Sequence, residues 1–292
     1  MGAEETFRLR NGEDEAIVAR RGGELLSWRV AGRDLLWTPD TAVWTRTSPI
    51  LFPIVGWAAG GVIRVEGQEY PIGVHGFAAE TDFAPVSTGE DFVRLRLSDN
   101  DATLAAFPFR FRLEVEYRLR PGGLDIGFTV SNPGESPLPY ALGFHPGFRW
   151  PFSGAGREAH RVEFDAPEET SVPEITARGL FSATRRALGF DGRTLALTDA
   201  LLAREALCFL DANSRAVRFV APDGAVIGMA VEDFPHLALW SRPPAPFLSI
   251  EAWTGHGDPD GFAGEIGDKP SMRWLAPGAV ARHGVALSFS AA

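Results

Sequence analysis

Apolar and polar residues alternate most regularly over 109–119, "FRFRLEVEYRL", in which every second side chain is apolar. The turn sequence "RPGG" follows at 120–123, and the same period then resumes at Leu124, Ile126, Phe128 and Val130. A period of two is that of a strand with one face in a core and the other in water. The pattern predicts an antiparallel hairpin with one exposed face.

Shorter runs of the same kind predict strands along the whole chain, with turn signals such as "RNGED" and "SNPGES" between them. These runs are 6–10, 15–20, 24–30, 33–37, 69–72, 92–97, 137–145, 161–164, 194–198, 206–210, 216–220, 225–231, 236–240, 246–253 and 284–290. The strongest helical pattern covers only 198–206, with Thr198 as its N-cap. So many strands and so few helices predict an all-β sandwich or barrel.

One long stretch, 40–65, "DTAVWTRTSPILFPIVGWAAGGVIRV", shows neither the alternation of a strand nor the spacing of a helix. Its two X-Pro steps disfavour a helix, so we expect a loop. A loop rich in Ile, Leu, Phe and Trp is poorly suited to open solvent. We therefore expect this segment to line a site.

The strand predicted around "FLSIEAW", 247–253, carries a carboxylate in its middle. Leu248, Ile250 and Ala252 share one face, and the other face bears Phe247, Ser249, Glu251 and Trp253. An ionised glutamate between aromatic residues is costly to bury. We therefore expect the strand to present Glu251 to a site that uses it.

Composition and charge narrow the classes of partner. The 292 residues are 45% hydrophobic and 23% charged, as in a globular protein, with a formal net charge of −10 and a pI near 5.1. This charge disfavours nucleic acid and anionic membranes as partners and favours a neutral substrate. The single cysteine, Cys208, excludes an intramolecular disulfide and is expected to be a buried thiol.

Nothing in the sequence indicates a membrane or a secretory route. No run approaches the roughly 18 apolar residues of a transmembrane helix, and the acidic segment 1–15 lacks the apolar core of a signal peptide. Its Met-Gly-x-x-x-Thr start matches a myristoylation pattern, which we attribute to chance because no basic patch accompanies it. We expect a soluble, cytoplasmic protein.

Two of the six histidines lie in distinctive surroundings: His75 in "GVHGFAAETDF" and His145 in "YALGFHPGFRWPF". A lone histidine is more often structural than catalytic, but Glu251 is a third group that can exchange protons near neutral pH. Aromatic residues, which bind the C–H faces of sugars, flank all three in the sequence: Phe77, Phe144, Phe148, Trp150 and Trp253. The combination indicates proton transfer on a sugar.

Metal binding is the main competing interpretation. His256, Asp258 and Asp260, in "GHGDPD", are oxygen and nitrogen donors on a predicted loop. The chain has no HExxH motif or other clustered ligand spacing, so we expect no metal. It also lacks a phosphate-binding glycine loop and a G-x-S-x-G elbow.

Five motifs, in order, give the chain a family resemblance: "SPILFPIVGW", "GVHGFA", "ALGFHPGF", "DFPHLALWS" and "FLSIEAWTGHGD". Together they resemble the aldose 1-epimerase (galactose mutarotase-like) superfamily, and within it the bacterial LacX-like branch. The resemblance extends over residues 5–290. It implies a single domain, 1–292, that forms a large antiparallel β-sandwich with few short helices and a sugar site on a concave face.

The resemblance also implies a mechanism and no cofactor. Glu251 corresponds to the base that takes the anomeric hydroxyl proton, and His145 corresponds to the acid that protonates the ring oxygen. The ring opens, rotates about C1–C2 and closes in either configuration. His75 corresponds to a sugar-binding, charge-stabilising residue. The full set of substrate-binding candidates is His75, Arg46, Trp57, Phe77, Asp199 and Trp253.

The chain departs from the family pattern at three positions. Trp57 and Ala79 stand where relatives commonly have arginine, and Ala252 replaces the proline of Glu-Pro-Trp. Arg46 or Arg64 is a candidate to replace the missing guanidinium groups. We therefore expect a mutarotase for a neutral aldohexose, as a monomer or homodimer; the alternatives are a hexose-6-phosphate 1-epimerase and a non-catalytic sugar-binding or sensing protein.

Overall fold

Strands make up nearly all the regular structure of the computed structural model, which describes residues 5–292. They are β1 (Thr6–Asn11), β2 (Asp14–Ala19), β3 (Leu25–Val30), β4 (Arg33–Asp34), β5 (Ile50–Leu51), β6 (Val62–Val65), β7 (Gln68–Pro71), β8 (Ala84–Thr88), β9 (Phe92–Ser98), β10 (Arg112–Arg120), β11 (Gly123–Ser131), β12 (Leu138–Tyr140), β13 (Gly143–Phe144), β14 (Gly147–Arg149), β15 (Arg161–Phe164), β16 (Ser171–Ile175), β17 (Phe181–Ala187), β18 (Thr194–Ala196), β19 (Leu207–Phe209), β20 (Ala216–Val220), β21 (Val226–Glu232), β22 (His236–Trp240), β23 (Phe247–Trp253), β24 (Arg273–Leu275) and β25 (Val280–Ser290). The helices described are α1 (Asp101–Ala106), α2 (Asp199–Leu202) and the 3₁₀ turns Ala59–Gly61, Ala78–Glu80 and Ile266–Asp268.

The structure describes only part of the N-terminal segment on which the expected absence of a signal peptide depends. Residues 1–4, which carry the myristoylation-like start, lie outside the described residues. Across 5–292, no helix is both long and apolar enough to cross a membrane.

Three antiparallel sheets account for most of the strands. The largest has nine strands in the order β18-β15-β20-β21-β25-β11-β10-β9-β8. A six-stranded sheet has the order β19-β22-β23-β13-β5, with β14 also paired to β23. A four-stranded sheet, β1-β2-β3-β4, completes the main framework. The prediction of an all-β, antiparallel fold with few short helices is therefore confirmed.

The three sheets bury their apolar faces in one continuous hydrophobic core. Ile126 from the nine-stranded sheet, Ile250 from the six-stranded sheet and Trp28 from the four-stranded sheet are all at most 1% exposed within it. This core covers only one face of the six-stranded sheet, whose other face supports a cavity.

The central strand of that sheet, β23, is buried on both faces, and all seven of its residues are buried. Leu248, Ile250 and Ala252 enter the main core, as their spacing predicts. Ser249 and Glu251 point the other way, toward the cavity side. Packing of the apolar face of β23 in the core thus fixes the polar residues on its opposite face.

The hairpin predicted from the most regular pattern in the sequence is present, although β10 begins at Arg112 and not at Phe109. β10 and β11 form the expected hairpin, with Leu113 opposite Val130 and Leu119 opposite Leu124. Thr198 caps α2 as expected, since its Oγ1 accepts a hydrogen bond of 3.1 Å from the amide of Leu201. That helix ends at Leu202, four residues earlier than predicted.

Other elements differ from the prediction for local reasons. The predicted strand 137–145 is divided into β12 and β13, and the expected loop 40–65 contains the short strands β5 and β6. Helix α1 was not predicted, although Asn100 and Thr103 form a capping box at its start. The hairpin of β16 and β17 was also missed, because a proline and a charged run obscure its alternation.

The core face of β23 gives a stability prediction. Ile250→Ala removes a fully buried side chain, so we expect the free energy of unfolding to fall by about 2–5 kcal/mol in urea denaturation. Val280→Ala is the matched control because Val280 is 46% exposed; we expect a change within about 0.5 kcal/mol. Equal effects of the two substitutions would contradict this assignment of the core face.

Candidate active site

A cavity of about 640 Å³ lies on the side of the six-stranded sheet opposite the main core. Four tryptophans and one phenylalanine are among its lining residues, and segment 40–65 contributes Trp44, Arg46 and Trp57 to the walls. The remaining polar and aromatic lining includes His75, Glu80, His145, Phe181, Trp240, Arg242, Glu251 and Trp253. Segment 40–65 thus lines a site, as its apolar composition indicates.

Glu251 and His145 meet deep in this cavity. Glu251 Oε2 lies 3.3 Å from His145 Nε2, and the two side chains are only 2% and 8% exposed. The same Oε2 accepts a hydrogen bond of 3.0 Å from Trp253 Nε1. Residues that are 106 positions apart in the sequence are therefore in direct contact.

Burial shifts the pKa values of the two groups in opposite directions. Loss of water raises the pKa of Glu251 well above its usual value, and the hydrogen bond from Trp253 opposes this. Burial lowers the pKa of His145 well below its usual value, and the nearby His75 adds to that effect. Together these shifts favour a pair with one proton and no net charge over a wide pH range.

Ser249 determines which nitrogen of His145 faces Glu251. Its hydroxyl donates to the carbonyl of Pro146 at 2.9 Å, and its Oγ lies 2.8 Å from His145 Nδ1. Because the single hydroxyl proton is used on a carbonyl, Oγ must accept from a protonated Nδ1. This network assigns the second, exchangeable proton position of His145 to Nε2, next to the carboxylate.

His75 is held in a left-handed backbone conformation, with φ of 63°. The next residue, Gly76, has φ of 77°, and a Cβ there would lie 2.3 Å from the carbonyl oxygen of Phe52. This tight turn lets His75 Nδ1 accept a hydrogen bond of 3.0 Å from the amide of Gly56. His75 Nε2 is then the protonated nitrogen and a hydrogen-bond donor.

The charge of His75 follows from its burial. Burial, with a smaller contribution from the Lys269 ammonium, lowers the pKa of His75 to about 4. His75 is therefore neutral at pH 7 and lines the cavity as an uncharged donor. A neutral N–H donor can still stabilise negative charge that develops on a sugar oxygen, as the family resemblance implies for His75.

Arg46 reaches the cavity but is already paired with carboxylates. Its Nη1 lies 3.2 Å from Glu24 Oε2, and its Nη2 bonds Glu80. The other oxygen of Glu24 accepts hydrogen bonds from the amides of Thr47 and Ser48 at 2.6 and 2.9 Å. Glu24 therefore fixes Arg46 and the adjacent loop together, a role that its sequence context did not reveal.

Two of the predicted substrate-binding residues lie away from the cavity lining. Phe77 is partly buried and packs against the main core, where its ring lies near Phe52, Phe107 and Phe111. Asp199, in α2, pairs with Arg157 at 2.7 Å. Arg64, the alternative to Arg46, pairs with Glu69 on the β6–β7 hairpin. The lining retains His75, Arg46, Trp57 and Trp253 from the predicted set.

The residues considered as metal ligands have other partners. Asp258 is buried and lies 2.9 Å from Lys269 Nζ, whereas Asp260 pairs with Arg178 at 2.7 Å. His256 Nδ1 donates to the carbonyl of Gly257 at 2.9 Å. Among residues 5–292, no group of three or more His, Cys, Asp or Glu side chains is placed to hold a metal ion.

Several lining residues were not identified from the sequence. Trp44 and Trp240 lie on two sides of His145, with ring centroids 5.0 and 5.5 Å from its own. Cys208 forms part of the wall, and burial raises the pKa of its thiol well above the usual value, so it stays protonated. Ser249 lies two residues before Glu251 and therefore on the same face of the strand. This spacing is the sequence feature that could have indicated its role.

Known proteins with similar sequences and structures share this architecture. A family model for aldose 1-epimerase matches residues 5–288. The plasmid-encoded protein LacX of Lactococcus lactis subsp. lactis is 29% identical over 284 residues, which cover 93% of this chain and 95% of that protein.

Two solved structures are similar over nearly their whole length. A galactose mutarotase-like protein from Lactobacillus casei ATCC 334 has 28% identity and a TM-score of 0.91, covering 98% of this chain and 100% of that one. A galactose mutarotase related enzyme from Lactobacillus acidophilus has 25% identity and a TM-score of 0.90, covering 98% of each chain. The matched family model extends over almost all of the sequence, and the chain belongs to the aldose 1-epimerase family.

Proposed function

We propose that this protein is a mutarotase that interconverts the α and β anomers of a neutral aldohexose. The observation that carries the proposal is the buried contact between Glu251 and His145, whose opposed pKa shifts leave one proton on the pair. Mutarotation moves one proton between the two oxygens of a single carbon. A base and an acid in direct contact match that requirement.

In the proposed mechanism, Glu251 takes the proton of the anomeric hydroxyl while His145 Nε2 protonates the ring oxygen. The C1–O5 bond breaks as the carbonyl forms, which leaves Glu251 protonated and His145 neutral. Rotation about C1–C2 presents the other carbonyl face, and ring closure returns both protons. The pair ends the cycle as it began, so no cofactor is required.

The starting state needs a carboxylate in a buried position. The Trp253 indole N–H already donates to Glu251, and the anomeric hydroxyl of a bound sugar would add a second donor. Charge-assisted hydrogen bonds of this kind favour the ionised carboxylate and offset its loss of water. Ser249 favours the same state, because it accepts from Nδ1 and leaves Nε2 to carry the proton toward the sugar.

The other lining residues support a neutral sugar as the substrate. Tryptophan faces suit the C–H surfaces of a pyranose, and His75 and Arg46 supply donors for hydroxyl oxygens. The lining carries two guanidinium groups, Arg46 and Arg242, and the two carboxylates Glu80 and Glu205 balance them, while Arg46 is also paired with Glu24. This balance disfavours a hexose 6-phosphate.

The central test is Glu251→Gln. The amide keeps the volume and can still accept from Trp253, but it cannot take a proton, so we expect a loss of at least about 10²-fold in catalysed exchange. The measurement is NMR magnetisation transfer between the α and β anomers of glucose and galactose, with protein-free exchange subtracted. Normal turnover by the folded variant would contradict the mechanism. If wild-type protein does not accelerate exchange but sugar alters its tryptophan fluorescence, the sugar-binding alternative replaces the proposal.

The pH dependence follows from the one-proton pair. A second proton is added at His145, whose pKa is lowered, so the acid limb of kcat/KM should lie below pH 6.5, the ordinary histidine value. The last proton is lost from Glu251, whose pKa is raised, so the alkaline limb should lie above pH 4.5, the ordinary glutamate value. We expect a bell-shaped profile whose acid limb reports His145 and whose alkaline limb reports Glu251. An acid limb centred above pH 6.5 would be inconsistent with a buried, neutral His145.

Ser249→Ala tests the proposed tautomer. Loss of the acceptor for Nδ1–H weakens the imidazolium by roughly 1.5–3 kcal/mol, so we expect kcat to fall about 10- to 100-fold with a smaller change in KM. Nitrogen-15 NMR of the His145 ring should show Nδ1 protonated in the wild type and a mixture of tautomers in the variant. Ser214→Ala is the control, because Ser214 is also buried but bonds Ala166, away from the cavity. An unchanged kcat in Ser249→Ala would show that Ser249 does not set the catalytic tautomer of His145.

A further inference from the structure

The cavity does not end at the ring-sized space above Glu251. A second depression, of about 990 Å³, continues from its mouth and is called here the outer groove. The two spaces share four lining residues, Trp57, Gly179, Glu205 and Arg242. Trp57 therefore lies at the boundary between the two spaces.

Exposure increases steadily from the reacting groups to this junction. Glu251 is 1% exposed, His145 is 7% exposed and Trp57 is 45% exposed. A sugar whose anomeric carbon lies at Glu251 and His145 can point the opposite side of its ring toward the exposed part of the lining, which includes Trp57. A substituent carried on that side can then extend into the outer groove.

Trp57 is built as a fixed platform. Gly179 has φ of 78°, and a Cβ at that position would lie 1.9 Å from Cδ1 of the Trp57 ring. Only glycine thus lets the indole lie directly against the chain there. An exposed tryptophan held in one place offers a large apolar face at little entropic cost.

The rest of the outer groove suits a neutral, hydroxylated ligand. Gly60 and Gly61 line it with positive φ, and a Cβ on either would meet no atom within 4 Å, so the space above them is open. Arg178 and Asp260 form an ion pair of 2.7 Å at its edge and offer both donors and acceptors. Paired charges of this kind favour hydroxyl groups over a charged ligand.

We infer that the outer groove is a second sugar subsite and that the protein acts on the reducing end of a disaccharide or longer oligosaccharide. The reducing ring occupies the cavity at Glu251 and His145, and the next ring stacks on Trp57. This inference rests on the proposed mutarotase function for its reaction, but the subsite can be tested separately by binding.

The kinetic test compares sugars that share one reducing ring. Maltose, cellobiose, lactose and melibiose all end in glucose, so their kcat/KM values for anomer exchange are each divided by that of glucose. We expect a ratio above one for at least one of them, and a fall of that ratio by about tenfold in Trp57→Ala, which corresponds to about 1.4 kcal/mol.

Two further variants separate stacking from a general structural effect. Trp57→Phe keeps an aromatic face and should restore most of the ratio. Trp274→Ala removes a tryptophan that is 54% exposed but outside both spaces, and it should leave the ratio unchanged. The inference is overturned if glucose is preferred to all four disaccharides, or if Trp57→Ala lowers glucose and disaccharide turnover equally.

A binding measurement distinguishes failure of the subsite from failure of the proposed reaction. The 1,5-anhydro analogues of the four disaccharides lack the anomeric hydroxyl and cannot mutarotate. Saturation-transfer NMR should show contact of their second ring with the wild type and loss of it in Trp57→Ala. Such contact without turnover of any sugar would support the subsite and overturn the reaction; turnover of glucose without such contact would overturn the subsite alone.

Discussion

Burial of β23 on both faces is the constraint on which the rest of the site depends. One face packs in the core shared by three sheets, which prevents the strand from sliding or twisting. A shift of one residue would place Ile250 in the cavity and Glu251 in the core, at a large cost in free energy. The hydrophobic core therefore fixes the position of the carboxylate, and the cavity itself contributes little to its placement.

The same burial gives the site its electrostatic character. Water is excluded from Glu251 and His145, so each resists its charged form, and their contact at 3.3 Å allows the two to hold a single proton between them. Hydrogen bonds then orient the pair: Trp253 donates to the carboxylate and Ser249 accepts from the imidazole. His75, neutral and with its Nδ1 occupied by a backbone amide, adds a donor without adding charge.

The departures from the family pattern lie mainly at the mouth of the cavity. Glu251 and His145 lie at the floor of the cavity, while Trp57 and Ala79, the positions at which the sequence departs from the motifs it resembles, belong to the wall. Arg46 supplies a guanidinium from the same loop, but Glu24 and Glu80 balance its charge. Under the proposed function, the reaction at Glu251 and His145 and the selectivity at the cavity wall would be carried by separate parts of the chain, as is common when one fold serves several substrates.

The sequence alone determined the fold class, the β10–β11 hairpin and the two faces of β23, because a period of two reports directly which side chains share a face. The ordered motifs also identified the family and the three titratable residues. Tertiary structure alone decided that His145 touches Glu251, that Phe77 packs against the core and that Asp199 pairs with Arg157. It also revealed Ser249, Glu24 and the outer groove. Such features depend on contacts between residues far apart in the chain, and local periodicity carries no information about distance across a sheet.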